Sequence, residues 1–465
     1  MEENTDLPMY KIGQKTRRLA AMAMVVKNNM PAKNTLNQLD KNDKALAKSL
    51  KKVSSGMKIN SAEDDASGYS ISEKMRTQMR SLEQDIDNAQ TGASMLKVAE
   101  GGVQSTIDIL STLKEKVINA ANDTNTDADR ATIQKELDQS IDQLDENANV
   151  QYNGKIMLDG SHNNYVKSPG TKTALVNESL SENTSDTDLI TSLADFSGRS
   201  LGILPDSKIE FSFVIQGKTN FTVLDPVGNN MLMDIFGNST FNNDGVTFPS
   251  GLEMAVEFNS IVGTDRTGEY VTTVKGNNAL VFKAGLEGKE GQISGLTINV
   301  VNKDGSINRT ANSVLNDFYE AIQAEDPSPD NALVFQVGTK ANQSVKVGFS
   351  DMRGVALGLR ATDGTTLSIS TQKKANAAIN VLELAMSKAL NMQTTIGSVE
   401  SRMDYTVANL TTSNENTNAA ESVIRDADMA KEMTAYTKNN VLTQAAQSML
   451  AQANQNSSAV LSLLQ

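Results

Sequence analysis

The fold is decided by residues 421–465, the last stretch of the chain, which closes with NNVLTQAAQSMLAQANQNSSAVLSLLQ from residue 439 onwards. The stretch contains neither Gly nor Pro, and no charged residue follows Lys438. A surface helix would carry charges on its wet face, and a membrane span would not hold so many Gln and Asn. Because Ala, Leu, Met and Gln favour helix, a disordered polar tail is the weaker interpretation. We therefore predict an uninterrupted helix of small and amide side chains that needs protein neighbours on most sides.

Composition excludes several classes of function. The chain has 465 residues, no Cys, one His and a net charge of −13. Without Cys there is no disulfide framework and no thiolate site, and the single His162 excludes His-rich zinc sites and nearly excludes a Ser-His-Asp triad. The acidic balance argues against nucleic-acid binding, and no apolar run is long enough for membrane insertion. We predict two to four domains, no enzyme activity, no metal and no cofactor.

Three segments repeat apolar residues at alternating spacings of three and four, as bundle and coiled-coil helices do. The first stripe consists of Leu36, Leu39, Asp43, Leu46, Leu50, Val53 and Met57. The second covers residues 82–121, with the pair Gly101-Gly102 as its weak point, and the third covers residues 379–410. A shorter helix is predicted over residues 133–148. The second stripe is longer than an ordinary globular helix and therefore indicates an extended bundle.

A polar segment separates the first two stripes. Gly56 interrupts the first helix, and Ser61 with Asp64 has the spacing of a capping box, which predicts that a helix restarts there. The adjacent Asp64 and Asp65 are interpreted as helix-start carboxylates, which the helix dipole favours, rather than as a metal or acid–base site.

The middle of the chain reads as strands and loops. Tyr152-Asn153-Gly154-Lys155 predicts a tight hairpin, and all twelve Phe lie between residues 196 and 349. Apolar and polar residues alternate over residues 209–215, as in a half-buried strand. Further strands are predicted at residues 221–224, 254–258, 270–274, 296–301 and 332–337. One helical insert is predicted at residues 313–324.

The predicted fold class is α+β, with a long α-helical coiled-coil or bundle core formed by both chain ends and a β-rich outer domain inserted between them. Residues 1–21 form a tail or upstream extension. Residues 22–60 pair with 420–465, residues 61–160 pack with 366–419, and residues 161–365 form the variable β-rich domain, in one or two subdomains. Charge-free faces on repeated subunits favour open, filament-forming contacts.

Both ends of the chain resemble bacterial flagellin. The matching motifs are MVVKNNM at 24–30, SSGMKINSAEDDASG at 54–68, ESVIRDADMA at 421–430, LAQANQ at 450–455 and VLSLL at 460–464. The likeness covers residues 22–160 and 366–465, whereas the middle resembles no family we can name. Two features depart from the family: it starts near Met22 or Met24, and it often has Pro where this chain has Ser457.

The resemblance implies a structural subunit that polymerises into the extracellular flagellar filament for motility. The paired terminal segments would be coaxial helices of an inner tube, the adjacent helices an outer tube, and the variable domain would face the medium. It also implies secretion by the flagellar type III export apparatus, which fits a chain without a visible cleavable signal. Implied partners are other copies of the chain, an export chaperone at the C-terminal run, the filament cap and hook-junction proteins.

Two sets of residues are candidate sites. We expect packing between subunits at Leu36, Leu39, Leu46, Leu50, Val53, Met433, Val441, Leu442, Ala446, Met449, Leu450, Leu461 and Leu464. By resemblance, an epitope for a host Toll-like receptor maps to Leu110, Thr112, Leu113, Lys114, Glu115, Lys116 and Glu136. The strongly stimulating pattern has Arg in place of Thr112 and Leu in place of Lys116, so we expect weak receptor activation.

Two alternatives stay open. A hook–filament junction protein shares the terminal helices but does not polymerise. An adhesin or glycan carrier would use the outer segment, where Asn-x-Ser/Thr triplets begin at Asn177, Asn183, Asn220, Asn238 and Asn308, although chance explains such triplets in this composition.

Overall fold

A computed structural model of the chain describes residues 29–232, 255–258, 261–273 and 279–463. The predicted tail at 1–21, the flagellin-like residues 24–28 and Leu464 lie outside these ranges. The chain divides into two compact units. The terminal unit comprises Met1–Glu83 and Thr411–Gln465, and the central unit comprises Gln84–Leu410.

Helices occupy both ends of the chain and strands occupy its middle, which confirms the predicted α+β class. The helices of the described residues are α1 (Met30–Ser55), α2 (Ala66–Ala120), α3 (Asp127–Asn147), α4 (Arg309–Leu315), α5 (Gln372–Arg425) and α6 (Met429–Leu463). None of these helices is long and apolar enough to cross a membrane.

Local chemistry explains the ends of α1. Asn29 caps its first turn, since its Oδ1 accepts a hydrogen bond from the amide of Ala32 at 3.0 Å, and Pro31 fits the first turn because no helical partner exists there for its missing N–H. The helix stops at Gly56, whose φ of +70° lies in the left-handed region.

Helix α2 begins later than its predicted cap at Ser61. The carboxylate Oδ1 of Asp65 accepts hydrogen bonds from the amides of Ser67 and Gly68 at 3.1 and 3.0 Å, so Asp65 caps the first turn. Asp64 instead accepts from the amide of Asn60 at 3.1 Å and forms an ion pair of 2.9 Å with Lys48. Both acids are therefore structural, but the capping box was placed four residues too early.

The C-terminal stretch is not the single helix that its composition predicts. Helix α5 ends at Arg425, Asp426 forms an isolated antiparallel bridge with Met57, and α6 starts at Met429. Asp428 caps α6, because its Oδ1 accepts from the backbone amides of residues 430 and 431. The interruption comes from side-chain and backbone partners, and neither Gly nor Pro is needed to produce it.

The central unit has a helical core made by α2, α3 and α5. Leu96, Leu110, Leu137 and Leu382 are among its fully buried members. The predicted stripes at 82–121 and 379–410 supply much of this core. A Cβ on Gly102 would lie 2.8 Å from Leu158, so that glycine permits close packing and does not break the helix.

Antiparallel strands form the β-rich part. They are β1 (Gln151–Tyr152), β2 (Lys155–Ile156), β3 (Ala174–Asn177), β4 (Lys208–Ile215), β5 (Lys218–Leu224), β6 (Ala255–Phe258), β7 (Ile261–Thr264), β8 (Tyr270–Thr272), β9 (Leu280–Lys283), β10 (Ile293–Val301), β11 (Tyr319–Ile322), β12 (Leu333–Gln336) and β13 (Ser344–Val347). The sheets have the orders β10-β4-β5 and β11-β3-β9-β6, and β1-β2, β7-β8 and β12-β13 are separate pairs. The predicted hairpin is present, with positive φ at both Asn153 and Gly154.

The β-rich part has a second core around Phe211, Phe213 and Phe282. Phe282 stacks on Phe211 and meets Phe318 edge-on, with ring centroids 5.8 and 5.4 Å apart. Short strands hold together here because buried aromatic rings contribute both area and preferred ring geometry.

The prediction of one helix over residues 313–324 was wrong. Asn308 caps α4 early, since its Oδ1 accepts from the amide of Ala311. Asn316 ends the helix by exchanging two hydrogen bonds with the backbone of Ile298 on β10. The following residues 319–322 pair with β3 as a strand, so tertiary contacts overrode the helical spacing of the apolar residues.

Candidate assembly surface

Helices α1 and α6 pack against each other along the terminal unit, and we call them the terminal helix pair. The pair is antiparallel: Asn29 Nδ2 donates to the carbonyl of Ala453, and Asn42 Nδ2 donates to the carbonyl of Leu442, both at 3.2 Å. The residues that lose exposure along the contact follow a spacing of three and four. On α1 they include Thr35, Leu39, Asn42, Leu46, Ser49 and Val53, and on α6 they include Tyr436, Asn439, Thr443, Ala446, Leu450 and Ala453.

The most buried positions of this contact are unusually polar. Asn42, Ser49 and Thr443 are at most 9% exposed. Asn439 Nδ2 donates to Ser49 Oγ at 3.0 Å, and at the end of the contact Lys52 and Glu432 lie 3.5 Å apart. Such bonds contribute only about 0.5–1.5 kcal/mol each, but they fix one register.

Other apolar residues of the same helices lie outside the contact. Exposure ranges from 41% for Leu442 to 63% for Met449, and Met30, Leu36, Leu50, Met433 and Val441 fall between these values. The contact therefore combines polar and apolar groups, with polar groups at most of its most buried positions, and further large apolar groups face outward. Exposed apolar surface of this extent marks a region that binds protein.

The residues predicted to pack between subunits fall into two sets. Leu39, Leu46, Val53, Ala446 and Leu450 are half-buried or buried along the contact between α1 and α6. The outward-facing set consists of Leu36, Leu50, Met433, Val441, Leu442 and Met449. Leu464 and the side chain of Leu461 lie outside the described part of the chain.

Sequence reasoning missed the polar members of the contact. The predicted stripe ran through Leu36, Asp43 and Leu50, whereas the less exposed positions are one residue earlier, at half-buried Thr35 and at buried Asn42 and Ser49. The only signal that could have indicated these polar residues is the 3,4 spacing that they share with the half-buried leucines.

A buried arginine joins the two connections of the terminal unit. Arg425 donates to Glu73 Oε1 at 2.7 Å, and its guanidinium lies over the ring of Tyr69, 5.4 Å from the centroid. The hydrogen bond from Arg425 holds the pKa of Glu73 below its usual value. The carbonyl of Arg425 accepts from the amide of Lys58 at 2.7 Å. Arg425 thus joins the end of α5 to the start of α2 through its side chain and to the segment between α1 and α2 through its carbonyl.

The central unit buries an ion pair. Lys388 Nζ on α5 lies 3.2 Å from Glu320 Oε1 on β11, and the two side chains are 8% and 5% exposed. Burial raises the pKa of Glu320, and the charge of Lys388 only partly opposes this effect. A polar cavity of about 390 Å³ lies beside Lys388 and is also lined by Lys289, which pairs with Asp351.

The charges around this cavity neutralise one another and do not form a catalytic constellation. Among the described residues, no group of three or more His, Asp or Glu side chains is placed to hold a metal ion.

The residues of the predicted receptor epitope lie on α2 and α3. Leu110 and Leu113 are buried in the helical core, whereas Thr112, Glu115 and Glu136 are exposed. Lys114 pairs with Glu383 at 2.7 Å, and Lys116 pairs with Glu136 at 2.8 Å. The two leucines would therefore act through the fold, because a protein partner cannot reach them directly.

Comparison with known proteins identifies the family. Family models for the bacterial flagellin N-terminal and C-terminal helical regions match residues 26–163 and 379–464. A flagellin of Clostridium tyrobutyricum is 32% identical over 438 residues, which cover 93% of this chain and 99% of the relative. A flagellin of Bacillus subtilis (strain 168) is 27% identical over 461 residues, covering 95% of this chain and all of the relative.

A solved structure of a hook-associated protein from Legionella pneumophila aligns with 75% of this chain and 97% of its own, at 15% identity and a TM-score of 0.32. That score is too low to support a conclusion about assembly. The matches to both terminal regions and to full-length relatives define a structural component of bacterial flagellar filaments. The chain belongs to the flagellin family.

Proposed function

We propose that copies of this chain polymerise through the terminal helix pair into an extracellular filament that serves motility. The large apolar residues that the pair leaves exposed carry this proposal. Leu36, Leu50, Val441, Leu442 and Met449 are exposed on helices whose mutual contact is partly polar. Burying one such side chain is worth about 1.5–3 kcal/mol, so contacts with several neighbouring copies would supply the stability that the pair lacks alone.

The same surface supports an assignment of the segments within a filament. Residues 22–60 with 420–465 would form the innermost layer, where the charge-free part of α6 that follows Lys438 is surrounded by protein. Residues 61–160 with 366–419 would form the surrounding helical layer, and 161–365 would face the medium. This order buries the exposed apolar side chains and leaves the charged sheets and loops in water.

Export and partners follow from the same chemistry. We propose that the chain leaves the cell through the flagellar type III apparatus and that an export chaperone covers the C-terminal run beforehand. The charge-free run after Lys438, with exposed Val441, Leu442 and Met449, would otherwise associate prematurely. The filament cap and the hook-junction proteins are the expected partners at the two filament ends.

The second candidate is a hook–filament junction protein. Its terminal helices would have the same exposed apolar residues, but its copies would complete one layer and stop. Elongation from seeds distinguishes the two functions: a filament subunit lengthens them continuously, and a junction protein adds to their ends without growth.

The test uses full-length monomer and sonicated fragments of its own filaments, with elongation followed by light scattering and electron microscopy. Val441→Ser should slow elongation at least about tenfold, because one apolar contact is lost in every subunit. Val334→Ser in β12 is the matched control, since the two valines are 58% and 60% exposed. Equal elongation by both variants would show that the terminal helix pair is not the assembly surface.

A further inference from the structure

The methionines are divided between the two units. The chain has 20 Met and no Cys, so its sulfur chemistry rests entirely on thioethers. Among the described residues, five methionines are exposed, and four of them belong to the terminal helix pair. These four are Met30, Met429, Met433 and Met449; the fifth is Met231 in the central unit.

Five methionines of the central unit are deeply buried. Met95, Met157, Met352, Met392 and Met403 are at most 6% exposed and are packed in its helical core. Oxidation of a thioether follows exposure, so among the described methionines a diffusible oxidant reaches the four of the terminal helix pair and Met231 before these five.

Two-electron oxidation of methionine is chemically complete with hydrogen peroxide alone. The sulfur attacks one peroxide oxygen, the O–O bond breaks, an S–O bond forms, and water leaves after proton transfer. Sulfur loses two electrons and peroxide gains them. The product, methionine sulfoxide, is polar and chiral where the thioether was apolar.

Position determines the consequence. Met449 is 63% exposed and Met433 is 45% exposed on α6, the helix that also exposes Val441 and Leu442. The internal contact depends on Asn42, Ser49 and Asn439, whose hydrogen bonds the sulfoxide does not touch. Oxidation should therefore leave the subunit folded and make its outward surface polar.

We propose that Met30, Met429, Met433 and Met449 are peroxide-sensitive modification sites whose oxidation prevents a free subunit from entering a filament. The inference rests on the proposed function, because it concerns the surface that would be buried between copies. The modification is reversible in principle: a thiol-dependent methionine sulfoxide reductase returns the thioether, with a disulfide and water as the other products.

The experiment treats full-length monomer with graded hydrogen peroxide, removes the oxidant, and divides each sample. Peptide mass spectrometry gives the sulfoxide fraction at each methionine, circular dichroism reports helix content, and seeded elongation reports assembly. We expect the four sites to oxidise at least about fivefold faster than Met157 and Met403, with unchanged helix content and a roughly tenfold loss of elongation rate. Treatment with methionine sulfoxide reductases should restore elongation.

Variants separate the sites from general damage. Changing Met30, Met429, Met433 and Met449 together to Leu keeps the volume and apolarity, so this variant should elongate normally and stay competent after peroxide. The matched control Met231→Leu should remain as peroxide-sensitive as the unchanged chain. Rescue by the reductases tests on the unchanged chain whether methionine oxidation causes the loss of elongation. This test holds whether or not the four-site variant folds.

Two results would overturn the inference: normal elongation by a monomer that is fully oxidised at the four sites, or equal peroxide sensitivity of the four-site variant and the unchanged chain. Failure of untreated, unchanged monomer to elongate seeds is a different result. It would remove the proposed filament function itself, and with it the inference that depends on that function.

Discussion

Replacing Lys388 with Met should destabilise the central unit, and the size of the effect should depend on pH. Lys388 and Glu320 are both almost inaccessible, and their charged atoms lie 3.2 Å apart. Neither carboxylate oxygen of Glu320 accepts a well-directed hydrogen bond from the described residues, so Lys388 is its main compensation. Removing one partner of such a buried pair costs about 3–5 kcal/mol.

The sign of the pH dependence follows from Glu320. Its pKa is raised by burial, so the folded state holds the proton more tightly than the unfolded chain does. A carboxyl group of this kind destabilises the folded state above its folded pKa, and the penalty disappears as the pH falls through that value. Loss of the Lys388 charge raises the pKa further, and burial raises the pKa of nearby Glu325 in the same direction.

We therefore expect Lys388→Met to lose about 3 kcal/mol of unfolding free energy at pH 8 and clearly less at pH 5. Urea unfolding of the full-length monomer, followed by circular dichroism, measures both values. The double variant Lys388→Met, Glu320→Gln should recover most of the loss, because no buried charge is left unpaired. A single variant within about 0.5 kcal/mol of the unchanged chain at pH 8 would refute the reasoning.

Three further predictions concern the terminal unit and the helical core. Deleting residues 454–465, which lie beyond the hydrogen bond from Asn29 to the carbonyl of Ala453, should leave a folded protein. After seeds are added, this variant should still sediment as a monomer, and a normal yield of filaments would contradict the prediction. Arg425→Gln should lower the melting temperature by about 2–4 °C. Acidification should destabilise this variant less than the unchanged chain, because the ionised Glu73 with its lowered pKa stabilises the folded state only above that pKa. Identical pH profiles of the two proteins would count against the contact. In a reporter-cell assay of monomers, the unchanged chain should activate the Toll-like receptor weakly. The double variant Thr112→Arg, Lys116→Leu should be at least about tenfold more potent. Full potency of the unchanged chain would contradict this prediction.

Periodicity predicted the parts of the fold that are stabilised within one chain. The stripe through Leu96 and Leu110 is buried where its spacing placed it, and the Asn153-Gly154 turn forms because both positions need positive φ. These elements could be predicted because local preference and burial agree at each of them.

The misses have a common physical cause. The interruption at residues 426–428 and the end of α4 at Asn316 depend on hydrogen bonds to distant backbone groups, which spacing does not reveal. At the terminal helix pair, apolarity selected Leu36 and Leu50 over Asn42 and Ser49. The rule that the apolar side of a helix forms its internal contact fails where the apolar side faces other molecules.

The polar residues in the contact of the terminal helix pair, together with its exposed apolar residues, meet two requirements that a purely apolar contact could not meet together. Asn42, which donates to the carbonyl of Leu442, and Asn439, which donates to Ser49 Oγ, satisfy their amides only in one register, so the pair stays aligned although these bonds contribute little stability. If Leu50 and Leu442 faced each other instead, the pair would be stable alone, but its outward surface would be polar and would gain little from association. In the assembly that we propose, weak internal pairing with apolar exteriors makes the stability of the pair depend on neighbouring copies. Because Thr443 Oγ1 is also buried without a hydrogen-bond partner in the described structure, the isolated pair is further weakened by about 1–3 kcal/mol.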